Sequence, residues 1–292
     1  MRRSVLLVLS FILLILLASC ATQADPSDIR GIWKAKDGSE EYLFYFTSDG
    51  YYAQEFCWEG MSLYSEIGTY ALDMDESGEG VIATESYDFS CVREGSKLTI
   101  DFYGVERVFT RTSKIAKNNT SANSLKGVWS DGINVTGFSS NGLAVTMGKA
   151  LGLQDYYTEA AEYHAVVIDG ISYPYLIINN RLFIQDDGGF LGMYACTAMD
   201  RQTSAGTEQT SRDILVNVTL WPLTSTSDGT YHYDYSFLSD GRYSMKYYSD
   251  DDPVGYTSSG TFTYYYGNRI ELSNDSDLAY AIIDGVPFMF SI

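Results

Sequence analysis

Most of the chain alternates between apolar and polar residues with a period of two. Aromatic or other apolar side chains occupy every second position from Tyr231 to Phe237, and again from Tyr243 to Tyr247. Such alternation is typical of β-strands that bury one face. Long amphipathic helical runs are absent from the sequence, so the pattern predicts antiparallel strands joined by short turns.

Two sequence patterns recur three times in the same order. The first, Phe-x-Ser-(Asp or Asn)-Gly, begins at Phe46, Phe138 and Phe237. Asp-Gly and Asn-Gly favour hairpin turns, because Gly and Asn tolerate the positive φ that short hairpins need. The second pattern, a turn followed by a strand, occupies Gly95–Ile100, Asn179–Ile184 and Gly267–Leu272. The repetition indicates three copies of one structural unit.

Each copy holds enough alternating segments for a meander of about six to eight strands, and such a sheet hides its apolar face by curling closed. We therefore expect an all-β fold of three tandem antiparallel meander barrels or half-barrels. Polar stretches without apolar periodicity separate the copies. The expected organisation is a tether at 20–29, repeats at 30–112, 125–201 and 213–292, and linkers at 113–124 and 202–212. Residues 148–162 break the alternation and are expected to form a short helix or a loop.

The N-terminus has the parts of a secretory signal. Arg2 and Arg3 precede an apolar run from Val5 to Leu17, which is shorter than the about 20 residues that a membrane-spanning helix needs. The stretch Leu17-Ala18-Ser19-Cys20 resembles the lipobox of bacterial lipoproteins. The resemblance implies a signal peptide at 1–19, cleavage before Cys20, and diacylglycerol and palmitate on that cysteine. The alternative is an ordinary signal peptide with a chance cysteine.

The lipobox resemblance also implies a location. Membrane lipid becomes a partner through acylated Cys20, with the protein anchored in the cell membrane or outer membrane and facing the periplasm or the cell exterior. Ala21 favours the outer membrane or cell surface, because Asp at that position resembles the inner-membrane retention signal of enteric bacteria.

A tripeptide at the start of two repeats resembles the opening of lipocalin-like barrels. It is Gly-x-Trp, at Gly31–Trp33 and Gly127–Trp129. In that family the Trp closes one barrel end and a basic residue of the last strand lies across it. The resemblance therefore implies that Arg111 covers Trp33 and Arg201 covers Trp129. The third repeat departs from the pattern, since Trp221 follows Leu220 and Thr219 and no basic residue follows Arg269.

The net charge of the chain is −19 at pH 7. A surface this acidic repels phosphate groups, so nucleic acid is not an expected partner. Anionic lipid head groups are repelled as well, so contact with the membrane is expected to come from the lipid on Cys20.

The cysteines offer a candidate crosslink. Cys57 and Cys91 lie in one repeat, and an exported domain is in a compartment that permits disulfides. A bridge between them and a pair of free thiols both remain open. Cys196 is expected to be a buried apolar residue of a strand rather than a nucleophile.

Other candidate chemistry is sparse. The two histidines are His164 and His232, and His232 shares a strand face with Asp234, which suggests either an oriented imidazole or a solvated face. The acidic run Asp73–Gly78 is similar to the start of a calcium loop, but Thr84 stands where a bidentate Glu is needed, so an acidic turn is the preferred reading. No catalytic motif, metal site or cofactor is expected.

Tyrosine rows remain as a possible binding feature. Rows at 231, 233 and 235 and at 264–266 could stack sugar rings or line an apolar cavity, and could equally be core packing. The leading hypothesis is a non-catalytic lipoprotein whose modules bind a small molecule, a glycan or an envelope protein, at ligand-binding residues the sequence does not specify. A structural or adhesive spacer is the alternative, and a hydrolase the second. An open cavity would distinguish a binder from a spacer.

Overall fold

The computed structural model of the chain is nearly all antiparallel β-sheet, which confirms the expected all-β class with tandem barrels. One barrel is closed and two are nearly closed or half closed. The structure describes residues 28–102, 104–132, 135–146, 157–160, 165–168, 171–185, 196–209, 216, 221–224, 231–265, 268–274 and 276–291.

The first barrel is an up-and-down meander of eight strands. Consecutive strands pair with each other, and the first strand also pairs with the eighth, so the barrel has no free edge. Its interior is filled mainly by aromatic side chains, with Trp33, Phe44 and Phe109 fully buried. The strands are β1 (Gly31–Asp37), β2 (Glu40–Phe46), β3 (Tyr51–Trp58), β4 (Met61–Met74), β5 (Glu79–Thr84), β6 (Asp88–Glu94), β7 (Lys97–Phe102) and β8 (Val105–Ser113).

The second barrel also has eight strands. They pair in the order β11-β10-β9-β16-β15-β14-β13-β12, and within the described residues no pairing joins β11 to β12. A four-residue helix, α1 (Ala122–Leu125), precedes the barrel, and the Oγ of Ser121 caps it by accepting the Ser124 N–H. The strands are β9 (Gly127–Ser130), β10 (Val135–Phe138), β11 (Ala144–Thr146), β12 (Tyr157–Ala160), β13 (Ala165–Ile168), β14 (Ile171–Ile178), β15 (Arg181–Gln185) and β16 (Cys196–Arg201).

Strand β12 lies within residues 148–162, the segment expected to form a short helix or a loop. Residues 157–160 of that segment extend and pair with β13, so this part is a strand instead. Residues 148–156, 161 and 162 lie outside the described residues.

The third barrel is a meander of seven strands paired in sequence order. Its first and last strands lie next to each other, but no pairing joins them in the described part of the chain. The strands are β17 (Trp221–Thr224), β18 (Tyr231–Phe237), β19 (Arg242–Ser249), β20 (Tyr256–Tyr265), β21 (Arg269–Leu272), β22 (Asp277–Ile283) and β23 (Val286–Ser291).

The repeated turn signals lie at equivalent hairpins. Gly50, Gly142 and Gly241 follow the second, tenth and eighteenth strands and have φ values of 88°, 98° and 83°. A side chain at these positions would strain the backbone, since L-residues rarely adopt such φ values. The triplicated sequence pattern therefore corresponds to a triplicated turn.

The barrels pack against each other through apolar outer faces. Tyr45 and Ala53 of the first barrel share a buried cluster with Leu176 and Phe183 of the second. A second cluster joins residues of the second barrel to residues of the third, namely Val128, Leu143 and Val145 with Ala279, Ala281, Ile283 and Phe288. The three units therefore form a packed row.

The polar stretches expected to be linkers are docked on the barrels. Asn119 N–H donates to the Ile177 carbonyl oxygen of β14 at 2.8 Å. In the second stretch, the Asp284 carboxylate accepts from Thr203 Oγ1 at 2.6 Å, Gly206 N at 2.8 Å and Thr207 N at 2.7 Å. Residues 210–212 lie outside the described residues.

Within the described residues, no helix has the length and hydropathy needed to cross a bilayer. The signal peptide at 1–19 and the lipid-attachment residue Cys20 lie outside the described part of the chain.

Candidate ligand-binding site

One end of the first barrel is sealed by Trp33 and Arg111. Trp33 is fully buried, and its Nε1 donates to the Ile29 carbonyl oxygen at 2.6 Å. The Arg111 guanidinium lies 4.4 Å from the centre of the Trp33 ring, and its Nη2 donates to the Asp28 carbonyl oxygen at 2.5 Å. Burial lowers the pKa of Arg111, and the guanidinium makes a cation–π contact with the Trp33 ring.

The second barrel has the same closed end. Trp129 Nε1 donates to the Leu125 carbonyl oxygen at 2.8 Å, and the Arg201 guanidinium lies 4.0 Å from the Trp129 ring centre. Arg201 also donates to the carbonyl oxygens of Ser124 and Lys126. The structure thus brings together both Trp–Arg pairs that the resemblance implies. The Trp221 side chain of the third repeat lies outside the described residues.

The opposite end of the first barrel is open. The β1–β2, β3–β4, β5–β6 and β7–β8 connections all lie at this end, around a cavity of about 360 Å³. Six inward-facing side chains line it, five of them aromatic: Tyr42, Phe44, Gln54, Phe56, Tyr64 and Phe102. The volume is in the range of small-molecule sites, about 300–1,000 Å³.

The aromatic wall is held together by ring contacts and one cation. Tyr42 lies 4.9 Å from Phe56 and 6.1 Å from Phe102, measured between ring centres. Arg107 places its guanidinium 4.2 Å from the Tyr42 ring centre and donates from Nη2 to the Tyr42 hydroxyl at 3.1 Å. The Tyr42 hydroxyl in turn donates to Glu40 Oε2 at 2.7 Å, so the wall is apolar over most of its area with an Arg107–Tyr42–Glu40 chain at its edge.

Deeper in the wall, the Glu66 carboxylate organises a polar group. It accepts from Tyr52 Oη at 2.7 Å, Gln54 Nε2 at 2.8 Å and Tyr64 Oη at 3.1 Å. Burial and the nearby Glu66 carboxylate raise the pKa of Tyr64 to about 12, so its phenol remains a donor at neutral pH. Burial and the hydrogen bond to Glu66 also raise the pKa of Tyr52.

Gln54 has a polar atom that the barrel leaves unpaired. Only 4% of the residue is exposed, and its Oε1 has no hydrogen-bond partner among the described residues. Buried acceptors are normally satisfied, so an unpaired one beside a cavity marks a position where a ligand could donate.

The mouth of the cavity carries exposed apolar side chains. Trp58 and Met61 flank the β3–β4 hairpin with 42% and 45% of their surface exposed. Tyr87, in the β5–β6 connection, and Val105, at the start of β8, are also exposed. An apolar molecule would therefore meet an apolar entrance.

The structure corrects the candidate disulfide. Cys57, Cys91 and Cys196 are all free and buried. Cys91 belongs to the interior cluster of the first barrel, whereas the Cys57 thiol lies outside the wall and donates to Glu55 Oε1 at 3.3 Å. The barrel wall separates the two sulfur atoms, so a Cys57–Cys91 bridge does not form in this fold.

None of these thiols is poised for nucleophilic chemistry. Burial raises the pKa of Cys57 to about 12, of Cys91 to about 11 and of Cys196 to about 12. The thiolate is the reactive form, so burial disfavours nucleophilic chemistry at all three.

The histidine pairing differs from the expected one. His232 Nε2 lies 3.0 Å from Asp250 Oδ1, and its ring stacks on Tyr248 with 5.0 Å between ring centres. Asp234, on the same strand face, hydrogen-bonds to Tyr248 instead. The His–Asp pair lies on the outer surface of the third barrel, away from the cavity. His164 lies outside the described residues.

The acidic run in the first barrel forms the β4–β5 turn. The Asp75 carboxylate accepts from Ser77 N at 2.8 Å, Ser77 Oγ at 2.6 Å and Glu79 N at 3.1 Å. Its Oδ1 is thus committed to the turn. Across the described residues, no group of three or more His, Cys, Asp or Glu side chains is arranged to hold a metal.

The tyrosine row of the third barrel is divided between its core and one end. Tyr235 is buried in the interior, whereas Tyr231 is 40% exposed and stacks on Tyr247 with 5.8 Å between ring centres. The side chains of Tyr265 and Tyr266 lie outside the described residues.

The polar group of the cavity is not among the sites that the sequence predicts above. A signal was present in the alternation of β3, where Gln54 stands at an inward-facing position between Tyr52 and Phe56. A polar residue in an aromatic row indicates either a buried network or a ligand site. Only the folded barrel places Glu66 and Tyr64 beside it.

The fold and the cavity together define a tandem β-barrel protein whose first barrel has one sealed end and one open aromatic end. No protein-family model matches the chain, and no curated protein matches it either.

Proposed function

We propose that the protein is a lipid-anchored binding protein of the bacterial cell envelope, and that its first barrel binds a small, mainly apolar molecule. The observation that carries the proposal is the cavity of about 360 Å³, lined by aromatic side chains and open at one end. Removing apolar ligand surface from water supplies the driving force. The Trp33–Arg111 pair seals the other end, so the cavity has a floor.

In this proposal the membrane anchor is Cys20, which carries diacylglycerol and palmitate. More than one acyl chain is needed for durable anchoring. Asp28 lies at the sealed end of the first barrel, and the residues between Cys20 and Asp28 can reach at most about 28 Å. The tether therefore meets the first barrel at its sealed end. Mass spectrometry of the mature N-terminus tests the anchor, and an unmodified cysteine would exclude it.

A second role as a rigid spacer is favoured by the packing of the barrels. Buried apolar clusters join the first barrel to the second and the second to the third. Such a row holds the cavity at a fixed place relative to the rest of the molecule. The two roles are compatible, and the cavity favours binding as the primary one.

We propose no hydrolytic activity. His232 is paired with Asp250 on the outer surface, away from the cavity. Glu66 does not line the cavity and accepts hydrogen bonds from Tyr52, Gln54 and Tyr64. A general acid or base needs a free site toward its substrate.

A fluorescence titration tests the binding proposal. The protein is the chain from residue 20 onward with Cys20→Ser, which contains every described residue, and the probe is the uncharged fluorophore N-phenyl-naphthylamine. We expect saturable binding with a Kd of about 1–10 μM, since aromatic burial supplies most of the free energy. Absence of saturable binding would contradict the proposal.

A pair of variants locates the site. Tyr64 lines the cavity and is 43% exposed, so replacing it does not leave a hole in the buried core. Tyr64→Asp removes one aromatic side chain of the cavity wall and adds a negative charge beside Glu66. We expect its Kd to rise about tenfold or more. Tyr256→Asp, at a 63% exposed position of the third barrel, is the matched control and should leave the Kd unchanged.

A further inference from the structure

We infer that the cavity of the first barrel selects ligands that carry a hydroxyl or N–H donor on an otherwise apolar body, and that Gln54 recognises this donor. The inference rests on the proposed function, since it concerns the ligand of the same cavity. The expected ligand is an apolar alcohol, phenol or uncharged amine rather than a carboxylate.

The orientation of the Gln54 amide is fixed by its neighbour. Its Nε2 donates to Glu66 Oε2 at 2.8 Å. An ionised carboxylate can only accept hydrogen bonds, so the reversed amide would place two oxygens against each other. The Oε1 atom must therefore face away from Glu66.

The Oε1 atom is left as a buried acceptor. Gln54 is 96% buried, it lines the cavity, and Oε1 has no hydrogen-bond partner among the described residues. Its neighbours Tyr52 and Tyr64 both donate to Glu66 instead. Oε1 itself has almost no accessible surface, so a ligand donor pairs with it by displacing the side chains that cover it. Such a ligand would complete the network, and a ligand without a donor would leave it incomplete.

The charges of the cavity disfavour a carboxylate in the same place. Glu66 lies beside Gln54 and would repel a second anion in this apolar surrounding. Arg107 offers no compensation at that depth, since it lies at the mouth with its guanidinium over Tyr42. A neutral donor is therefore the group that fits.

Three naphthalenes with one substituent at the same ring position test the inference. They are naphthol, which donates, methoxynaphthalene, which only accepts, and naphthoate, which is an anion. Each displaces N-phenyl-naphthylamine from the protein described above. We expect naphthol to bind about tenfold more tightly than methoxynaphthalene, and naphthoate to bind most weakly.

A variant assigns the preference to Gln54. Gln54→Leu removes the acceptor and keeps the approximate volume, so we expect the ratio of the two affinities to fall to about one, with methoxynaphthalene binding retained. Gln185→Leu, at an exposed position of β15, is the matched control and should keep the tenfold ratio. Circular dichroism reports whether each variant folds. If Gln54→Leu fails to fold, the ratio measured on the parent chain still decides the donor preference, and Gln54→Met, which also lacks the acceptor, decides its assignment to Gln54.

The outcomes separate the two proposals. Equal binding of naphthol and methoxynaphthalene by the parent chain, or a tenfold ratio that survives Gln54→Leu, would overturn the donor preference and leave the binding function intact. Failure of all three naphthalenes and of the fluorophore to bind would overturn both.

Discussion

At the sealed end of each of the first two barrels, one glycine allows the first strand to lie close to the backbone of a neighbouring segment. Gly31 has φ 126°, and a Cβ atom there would lie 2.2 Å from the Ser113 carbonyl oxygen. Gly127 has φ 110°, and its Cβ would lie 2.1 Å from the Thr203 carbonyl oxygen. The glycine of the Gly-x-Trp repeat is therefore required by both backbone conformation and space, and it allows the first strand to close over the Trp.

We expect Gly31→Ala to destabilise the first barrel strongly. The substitution combines a φ that L-residues avoid with overlap against backbone, and we expect a loss of about 3 kcal/mol or more in unfolding free energy. Gly38→Ala is the matched control, because Gly38 has φ 60° and no atom within 4 Å of a built Cβ. It should lose only about 1 kcal/mol. Urea unfolding followed by tryptophan fluorescence measures both, and equal losses would show that the close approach is unimportant.

At the scale of strands, some elements bury both faces, and these connect the barrels. The run from Tyr175 to Ile178 in β14 and the run from Leu278 to Ile283 in β22 are buried at every position. Each strand fills its own barrel with one face and packs on the neighbouring barrel with the other. Continuous apolar runs are typical of such strands.

Strands β14 and β22 show which features of the fold can be predicted from the sequence. Alternation and the Gly-containing turns predict the meander and its triplication, because both are local properties of the chain. The same apolar runs indicate that β14 and β22 are buried on both sides, but not which surface covers them. The Gln54–Glu66 contact joins residues 12 positions apart across two strands, so it depends on register, which no local pattern specifies.

In the turn between β22 and β23, the Asp284 carboxylate binds residues 203–207, which connect the second barrel to the third. Burial raises the pKa of Asp284, but hydrogen bonds from Thr203 Oγ1 and from the backbone N–H groups of Thr207, Gly206 and Ala205 outweigh it, and the pKa lies below its usual 3.8. A carboxyl whose pKa is lower in the folded than in the unfolded chain stabilises the fold at any pH above its unfolded-state pKa. This stabilisation is lost as pH falls through the folded-state pKa.

We expect Asp284→Asn to lose about 1–3 kcal/mol at neutral pH, because the charged acceptor is gone while the shape and the φ of 50° are tolerated. The difference from the parent chain should begin to shrink as pH falls below about 3.8 and should vanish once pH has fallen through the lowered folded-state pKa, where the parent carboxyl is also neutral. Urea unfolding at a series of pH values measures this. Asp251→Asn, at an exposed position of the third barrel, controls for lost charge. A difference that is constant with pH would contradict this role of the Asp284 carboxylate.

At the scale of the whole molecule, the row of barrels is held by polar contacts as well as apolar ones. Strand β16 of the second barrel pairs with β4 of the first at Cys196 and Ser65, and Ser65 Oγ donates to the Cys196 carbonyl oxygen at 2.7 Å. Beside this bridge, Arg181 of the second barrel pairs with the buried Glu55 of the first. The two barrels therefore share backbone pairing, an apolar cluster and an ion pair.

The ion pair gives the sharpest test of whether these barrels act as one unit. The Glu55 side chain is 1% exposed, and it accepts from Arg181 Nε at 3.0 Å and from Tyr45 Oη at 3.2 Å. Arg181→Met would leave a buried carboxylate without its cation, and we expect a loss of about 2–4 kcal/mol. Arg242→Met breaks an exposed pair with Asp240, and we expect it to leave the free energy of unfolding nearly unchanged.

The shape of the urea unfolding transition shows whether the first two barrels unfold as one cooperative unit. If the interface joins the first two barrels into one cooperative unit, the parent chain unfolds them together, and Arg181→Met separates their transitions in urea. Tryptophan fluorescence follows them, since Trp33 and Trp129 lie at the closed ends of the two barrels. Equal losses in Arg181→Met and Arg242→Met, with one unchanged transition, would mean that the pair is no stronger than a surface contact. The apolar cluster would then hold the two barrels together alone.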